Sequence, residues 1–392
     1  MLSTAQALDR ILALMAPVGT ETVALAQAAG RVLAADVIAT RDQPPFDASA
    51  MDGYAVRVAD AAPGATLTVA GEAPAGRAWA GTLAPGQAVR LFTGAPIPAG
   101  ADAVLIQEDA DRDGDRLTVR ERPAPGAWIR PRGLDFPAGA RIAAPRRLGP
   151  ADLALAAAMN APVLTVRRRP LVAIIPTGDE LVEPGQTPGP DQIVASSGYG
   201  LAALLTACGA ETRLLPIARD TRDSLRAAFA AAAGADMIVT LGGASVGDYD
   251  LVREVVGDAA LAFYKVAMRP GKPLMAGRVG GGVLIGLPGN PVSAMVCGHI
   301  FLRPALDALL GLPAGPLPRT PRPLAAPLGA GGPREHYARA TLNADGTVAI
   351  FANQDSSVQS LLAAAELLAV QPPHGPALPA GAPIDTISLR VG

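Results

Sequence analysis

Lysine is nearly absent from this sequence. Among 392 residues only Lys265 and Lys272 carry an ammonium, although Lys and Arg together number 33 against 35 Asp and Glu. The 43 glycines and 38 prolines, with abundant alanine, fit GC-rich coding, under which lysine drifts to arginine wherever either cation serves. Two lysines retained in one short segment therefore point to a site that requires an ammonium, with chance retention as the competing explanation. Cysteine is as scarce. Cys208 and Cys297 alone exclude a disulfide framework and a cysteine-rich zinc site. His299, His336 and His374 are the only histidines and show no ligand spacing. The formal charge of −2 excludes a broad electrostatic footprint for nucleic acid. Long bulky apolar runs are also lacking. The Ala-rich stretch 151–166 contains Asp152, so no membrane span is expected. Asp9 and Arg10 in an amphipathic pattern do not read as a signal peptide, and a cytoplasmic location is expected.

What is present is a long, half-hydrophobic chain that can bury a sizeable core. Residues 3–16 predict a helix, with Ser3 and Gln6 as a capping box and Leu8, Ile11, Leu12 and Met15 on one face. Residues 47–137 form short β-like runs broken by Gly and Pro, including a hairpin turn at Asp113-Gly114. This reads as a β lobe. Residues 138–168 read as helical and Ala-rich. From Pro170 the texture alternates between strand and helix. Strands are expected at 171–175, 212–217, 237–241 and 283–286, and helices at 197–207, 221–233, 249–256 and 291–310. Thr221 and Asn290 are well placed as N-caps, with Pro291 at the first helical position. The alternation predicts a central doubly wound, mostly parallel α/β sheet, whose ligands sit beyond the carboxyl ends of the strands. Residues 313–327 read as a Pro-rich linker, and a hairpin around 343–346 returns the chain to β texture.

The carboxyl ends of the expected strands run into Pro176-Thr177-Gly178-Asp179-Glu180, Arg219-Asp220, Gly242-Gly243-Ala244-Ser245-Val246-Gly247-Asp248-Tyr249-Asp250 and Leu287-Pro288-Gly289-Asn290-Pro291. Each alone is also ordinary turn chemistry. Together they mark one edge of the sheet as a site. The loop 242–247 can present backbone N–H groups to a phosphate, with the Ser245 hydroxyl assisting. It has neither the lysine of a Walker A loop nor the glycine spacing of a dinucleotide fingerprint. The helix beginning at Pro291 offers a second positive N-terminus, with Ser293 in its first turn. Asp179, Glu180, Asp220, Asp248 and Asp250 are candidate magnesium ligands, and Asp179 or Asp248 can equally be a helix cap. The turn Pro270-Gly271 lets Lys265, Arg269 and Lys272 converge on a polyanion; a solvated basic edge strand is the alternative.

In this order along nearly the whole chain, residues 44–57, Phe92-Thr93-Gly94-Ala95-Pro96-Ile97-Pro98, residues 177–181, 242–250, 269–273 and 287–293 resemble the molybdopterin molybdenumtransferase (MoeA) family, whose animal relative is the gephyrin E domain. The resemblance implies a multidomain α/β plus β protein. Its parts would be a helical N-terminal domain (1–46 and 138–168), an inserted β lobe (47–137), an α/β molybdopterin-binding domain (169–312) and a C-terminal β domain (316–392). It implies a homodimer whose active site joins the α/β domain of one subunit to the β lobe of the other. The implied transferase reaction inserts molybdate into adenylylated molybdopterin with magnesium, giving molybdenum cofactor and AMP. Functional partners would be a molybdopterin adenylyltransferase and downstream cofactor-maturation proteins.

Carried over by motif, the catalytic set is Asp52, Thr93, Glu180, Asp220, Asp250, Lys265 and Arg269, with Glu180, Asp220 and Asp250 around the metal. The substrate-binding set is Gly242, Gly243, Ser245, Gly247, Lys272, Pro288, Pro291, Ser293, Arg339 and Ser356, the last two from the C-terminal domain. The sequence departs from the family pattern in four places. Arg269 stands where lysine is frequent, and Ala48 where asparagine follows the first Asp of the hinge motif. Ala195-Ser196-Ser197 replaces an Asp-Thr-Asn run, and Asp355-Ser356-Ser357 replaces Gly-Ser-Gly. Two other readings compete: a non-catalytic molybdopterin-binding scaffold, and the adenylyltransferase acting one step earlier, whose domain resembles residues 170–310. That relative usually shows Gly-Gly-Thr-Gly, and Gly-Gly-Ala-Ser-Val-Gly here favours the transferase.

Overall fold

A computed structural model describes residues 1–243, 251–257 and 260–391. Its central sheet has six strands in the order Glu211–Leu214, Leu171–Pro176, Met237–Leu241, Gly282–Leu287, Met275–Val279 and Leu261–Tyr264. The first four are parallel, Met275–Val279 runs antiparallel to them, and Leu261–Tyr264 runs antiparallel to Met275–Val279. The apolar run at Leu171 forms a strand buried on both faces because alternate side chains enter two cores. Val172 and Ile174 pack with Leu201, Leu205 and the helix after Pro291. Ala173 and Ile175 pack with Leu225 and Val252. The chain leaves Leu171–Pro176 to build Glu211–Leu214 on one side, then crosses to Met237–Leu241 on the other. The topological switch point therefore lies between Pro176 and Leu241.

The helices Ser197–Ala207 and Arg222–Ala231 form close to where their patterns place them, the second capped by the Thr221 hydroxyl. The Ser3–Gln6 capping box also forms, opening Thr4–Leu12. The segment from Pro291 to Leu309 is interrupted by a π turn at Gly298–Leu302. Pro304 has no N–H to return to Ile300, and the ladder shifts so that Arg303 donates to Gly298 instead. By length and composition this helix is apolar enough to cross a membrane, but it is largely buried inside the protein as a core helix. Asn290 stands at its N-cap without a capping hydrogen bond from its side chain.

The expected helical character of 1–46 and 138–168 is corrected. Alongside Thr4–Leu12 and Pro150–Ala158, these segments build a four-stranded sheet from Thr20–Ala24, Val32–Leu33, Arg146–Arg147 and Val163–Arg167. Pro162 and the alternation in Val163-Leu164-Thr165-Val166 override the alanine content, placing Leu164 and Val166 in the core. Between these two segments lies a second six-stranded sheet built from Gly53–Val56 to Arg116–Val119. The C-terminal sheet runs Met268–Arg269, Glu335–Leu342, Leu367–Gln371, Pro383–Ser388, Thr320–Pro323. Its Tyr337, Leu368 and Val370 share the main core with Leu8, Ile11 and the central sheet.

Candidate functional site

At the switch point the backbone of three loops meets. The Thr177 N–H and hydroxyl both donate to the Leu241 carbonyl, at 2.9 and 3.1 Å. The Gly242 N–H donates to the Leu287 carbonyl at 3.1 Å. Gly242 has φ +97°, and a Cβ there would stand 2.7 Å from Thr177 Oγ1 and 2.8 Å from the Thr177 carbonyl oxygen. A Cβ on Gly289 would stand 3.5 Å from the Gly242 Cα. Glycine is thus required at position 242 for the close approach of these strand ends, while a Cβ at position 289 would make only ordinary contact. Gly243 follows with φ +65°. Ser245, Gly247, Asp248 and Asp250 lie outside the described residues.

The acidic side of this crevice is tied together locally. Arg219 Nη1 donates to the carbonyl oxygens of Gly178, Asp179 and Leu181 at 3.4, 3.1 and 3.1 Å. The Asp220 N–H donates to Asp179 Oδ1 at 3.1 Å. Glu180 is exposed, and its carboxylate folds back over Gly178. Burial pushes the Asp220 carboxyl above its ordinary range. Among the described residues no three His, Cys, Asp or Glu side chains group closely enough to hold a metal by themselves. Glu180 and Asp220 instead present two carboxylates from adjoining loops. Magnesium binds through only one or two carboxylates and completes its shell with substrate phosphates and water, so it does not require a group of three. A cation there would also offset the burial of Asp220. Arg219 was not among the expected site residues, although its position next to Asp220 was the available signal.

The cationic segment joins Leu261–Tyr264 to Met275–Val279; Lys265 and Lys272 lie outside its strands, whereas Arg269 is exposed on the two-residue edge strand Met268–Arg269. Lys265, at φ +73°, donates its N–H to Leu274, and the Val266 N–H donates to the Lys272 carbonyl at 3.0 Å. Lys265 Nζ lies 4.9 Å from the Tyr264 ring centroid. Met268–Arg269 pairs with Glu335 and His336, which puts Arg269 on the seam between the central and C-terminal sheets. Burial, with Arg269, Arg334 and Arg339 nearby, pushes His336 down to about 4, so it is neutral there at physiological pH.

Pro288 is buried, Pro291 half-buried, and Ser293 only 4% exposed. The Val292 N–H donates to the Ser356 carbonyl at 3.1 Å. Arg339 is tied to the loop before Ser356. It is 1% exposed, and its guanidinium donates to the carbonyls of Val358, Asn353 and Asp355 at 2.8, 3.2 and 2.9 Å and to Gln354 Oε1 at 3.4 Å. These bonds hold the loop that carries Ser356. The extra carboxylate, Asp355, accepts from the Ser357 N–H and hydroxyl at 2.8 and 2.6 Å, which keeps its charge on its own turn.

Asp52 and Thr93 come together on the β lobe. Asp52 Oδ1 accepts from the Thr93 N–H at 2.7 Å and its hydroxyl at 2.9 Å, and these bonds hold the carboxyl below its ordinary range. Among the described residues, the hydrogen bonds of this pair stay within the lobe. A groove of about 490 Å³ opens at the amino ends of the central strands, between Val18, Arg168, Asp236 and Arg278, and its lining includes none of the expected site residues.

Residues 2–160 match the family model of the MoeA N-terminal region (domain I and II), and residues 173–308 match that of a probable molybdopterin binding domain. The chain is 42% identical over 308 residues to the molybdopterin molybdenumtransferase of a Nostoc species, covering 76% of this chain and 71% of that one. It is 41% identical over 341 residues to molybdopterin molybdenumtransferase 2 of Mycobacterium tuberculosis, covering 82% and 83%. The crystal structure of a molybdopterin biosynthesis MoeA protein from Pyrococcus horikoshii superimposes with a TM-score of 0.84 at 27% identity, covering 99% of this chain and all of that one. The strand-end crevice thus belongs to a chain of known kind: it is a member of the molybdopterin molybdenumtransferase (MoeA) family, transferases of molybdenum cofactor biosynthesis.

Proposed function

We propose that this chain inserts molybdate into adenylylated molybdopterin, releasing AMP and molybdenum cofactor, at the carboxyl edge of its central sheet. The observation that carries this reading is the meeting of Thr177, Gly242 and Gly289 at the switch point, with carboxylates on one side. Side-chain-free glycines let a phosphorylated ligand approach the backbone. Lys265, Arg269 and Lys272 hold the molybdate dianion and the phosphate oxygens through charge-assisted hydrogen bonds. Glu180 and Asp220, with Asp250, hold magnesium, which when bound neutralises charge developing on the anhydride oxygens. The Ser356 loop closes the side next to Pro291 and Ser293.

Asp52 and Thr93 belong to the same site but enter it from the β lobe of a second copy in a homodimer. Thr93 holds the Asp52 carboxylate ionised and aimed at the substrate. The four-part domain organisation supplies that reach. The protein acts in the cytoplasm, receiving its substrate from a molybdopterin adenylyltransferase and passing the cofactor to maturation proteins. Incubation with adenylylated molybdopterin, with and without molybdate and magnesium, tests the reading through AMP release. AMP that appears only with molybdate supports it. Binding without AMP release would leave a scaffold, and ATP consumption without molybdate would point to the adenylyltransferase.

A further inference from the structure

Arg90 packs beside the Asp52–Thr93 pair. Across the antiparallel strands Gly53–Val56 and Gln87–Leu91, Tyr54 faces Arg90 and Gly53 faces Leu91. The Arg90 guanidinium carbon lies 5.1 Å from the Tyr54 ring centroid and 4.9 Å from that of Phe92. Its Nη1 donates to the Gly53 carbonyl at 3.2 Å and its Nη2 to Gln107 Oε1 at 3.0 Å. The Gln107 N–H in turn donates to the Asp52 carbonyl at 3.2 Å. Arg90 therefore touches the two residues that follow Asp52, the residue that precedes Thr93, and the residue that holds the Asp52 backbone. Its positive charge adds a smaller attraction to the Thr93 hydrogen bonds that keep Asp52 ionised.

We propose that Arg90 is a positioning residue for the molybdenumtransferase site: it fixes the turn at Asp52 against the strand end at Thr93, so that Asp52 Oδ1 keeps both Thr93 donors. A planar guanidinium with donors on two nitrogens meets two rings and two acceptors at once, and an ammonium cannot. Arg90 itself touches no substrate. The inference rests on the reading that Asp52 and Thr93 act in the transferase site.

The test uses the full-length protein as wild type, Arg90→Gln, Arg90→Lys, Asp52→Ala and the double variant Asp52→Ala/Arg90→Gln. It reads AMP release with adenylylated molybdopterin and molybdate, and hydrogen exchange of the Thr93 amide without substrate. Arg90→Gln is expected to lower kcat by about 10- to 100-fold, as misplacing a catalytic group does. Arg90→Lys is not expected to restore it. In the Asp52→Ala background Arg90→Gln should have no further effect, and the Thr93 amide should exchange roughly ten times faster in Arg90→Gln as the local turn opens more often. Phe92→Leu, which removes one stacking face and keeps the charge, serves if Arg90→Gln does not fold, with a smaller change in the same direction. Unchanged Thr93 exchange, or effects of Arg90 and Asp52 that multiply independently, would overturn the inference. If Asp52→Ala stays fully active while Thr93 exchange still accelerates, the catalytic reading of Asp52 fails and the structural role of Arg90 stands.

Discussion

The backbone N–H of Val292 donates to the carbonyl oxygen of Ser356 at 3.1 Å. A loop of the C-terminal sheet thereby occupies one of the free N–H groups at the start of the helix after Pro291. Gln359 Nε2 donates to Ser196 Oγ at 2.7 Å, so the same stretch also reaches the start of Ser197–Ala207. The wall of the site beside Ser293 thus depends on how firmly residues 353–359 are held.

Arg339 does that holding. Its donors are spread over three carbonyls and the Gln354 amide, inside a 1% exposed pocket. Hydrogen bonds to a charged group are worth more than neutral ones, and buried acceptors left unmade are costly. Arg339→Ala is expected to lower unfolding stability by roughly 3 kcal/mol in urea titration. Arg339→Lys should recover little of it, because one ammonium cannot span the same acceptors. Wild-type stability in Arg339→Ala would overturn this holding role.

Gly242→Ala tests the switch-point crevice. Its Cβ would meet both the hydroxyl and the backbone carbonyl of Thr177, at a φ of +97°. Strain of this kind costs at least about 2 kcal/mol or displaces the loop. AMP release should fall sharply. Thr177→Ala added to Gly242→Ala should not rescue it, since the carbonyl and the backbone angle remain. Rescue would mean that only the hydroxyl was in the way.

The central sheet was legible because its strands are continuous apolar runs and its helices carry clear start signals such as Thr221. The site edge followed from that topology, since Gly and Asp clustered where strand ends had to be. The four-stranded sheet near the N-terminus was hidden by alanine: Ala151, Ala154 and Ala156–Ala158 do form the helix Pro150–Ala158, while Ala143, Ala144 and Ala161 lie in the loops that flank short strands beside Pro145 and Pro162. The antiparallel strands Leu261–Tyr264 and Met275–Val279 were hidden because they are short, and Gly277 and Arg278 interrupt the apolar pattern of the second. Arg339 shows the limit of motif reading. A matching residue type at a matching position does not state what its guanidinium faces, and only the carbonyls around it do.

A dimer with sites shared between subunits makes a distinctive prediction. Asp52→Ala removes the β-lobe group, and Asp220→Ala removes a central-sheet group. Each alone should cut AMP release to a small residual rate. After subunit exchange, heterodimers should contain one site in which both groups are intact. The mixture should recover about a quarter of the wild-type rate, from half the molecules carrying one working site of two. No recovery after verified exchange would place both groups in one subunit.

His299 makes stability depend on pH. It is 6% exposed, and burial, with Arg303 adding to it, pushes its folded pKa down to about 4 from 6.5. A depressed base binds its proton more readily in the unfolded chain. The stability it permits is full above pH 6.5 and is lost as pH falls through that value towards 4, by up to about 3 kcal/mol. Between pH 6.5 and 5 few carboxylates titrate, so thermal unfolding in that window isolates the histidines. His299→Gln should flatten the slope in part, with His336, pushed down the same way, supplying the rest. An unchanged slope would mean that His299 reaches water in the folded protein.

The two lysines make the last prediction. Both lie in the loop that joins the antiparallel strands, and the Lys272 carbonyl accepts from Val266, next to Lys265. The loop is therefore closed at its base, and the two ammonium groups start from neighbouring backbone. Arg269 lies further out, on the short strand against Glu335 and His336, and its side chain is exposed. A compact ammonium at Lys272 can approach an oxyanion from several directions, whereas a guanidinium needs a flat, two-pronged fit. Lys272→Arg is expected to reduce kcat/KM for molybdate by about 10-fold, and Arg269→Lys by less than about 3-fold. Both keep the charge, so a difference between them reports geometry alone. If both swaps are silent, the scarcity of lysine reflects coding bias and the site does not distinguish the two cations.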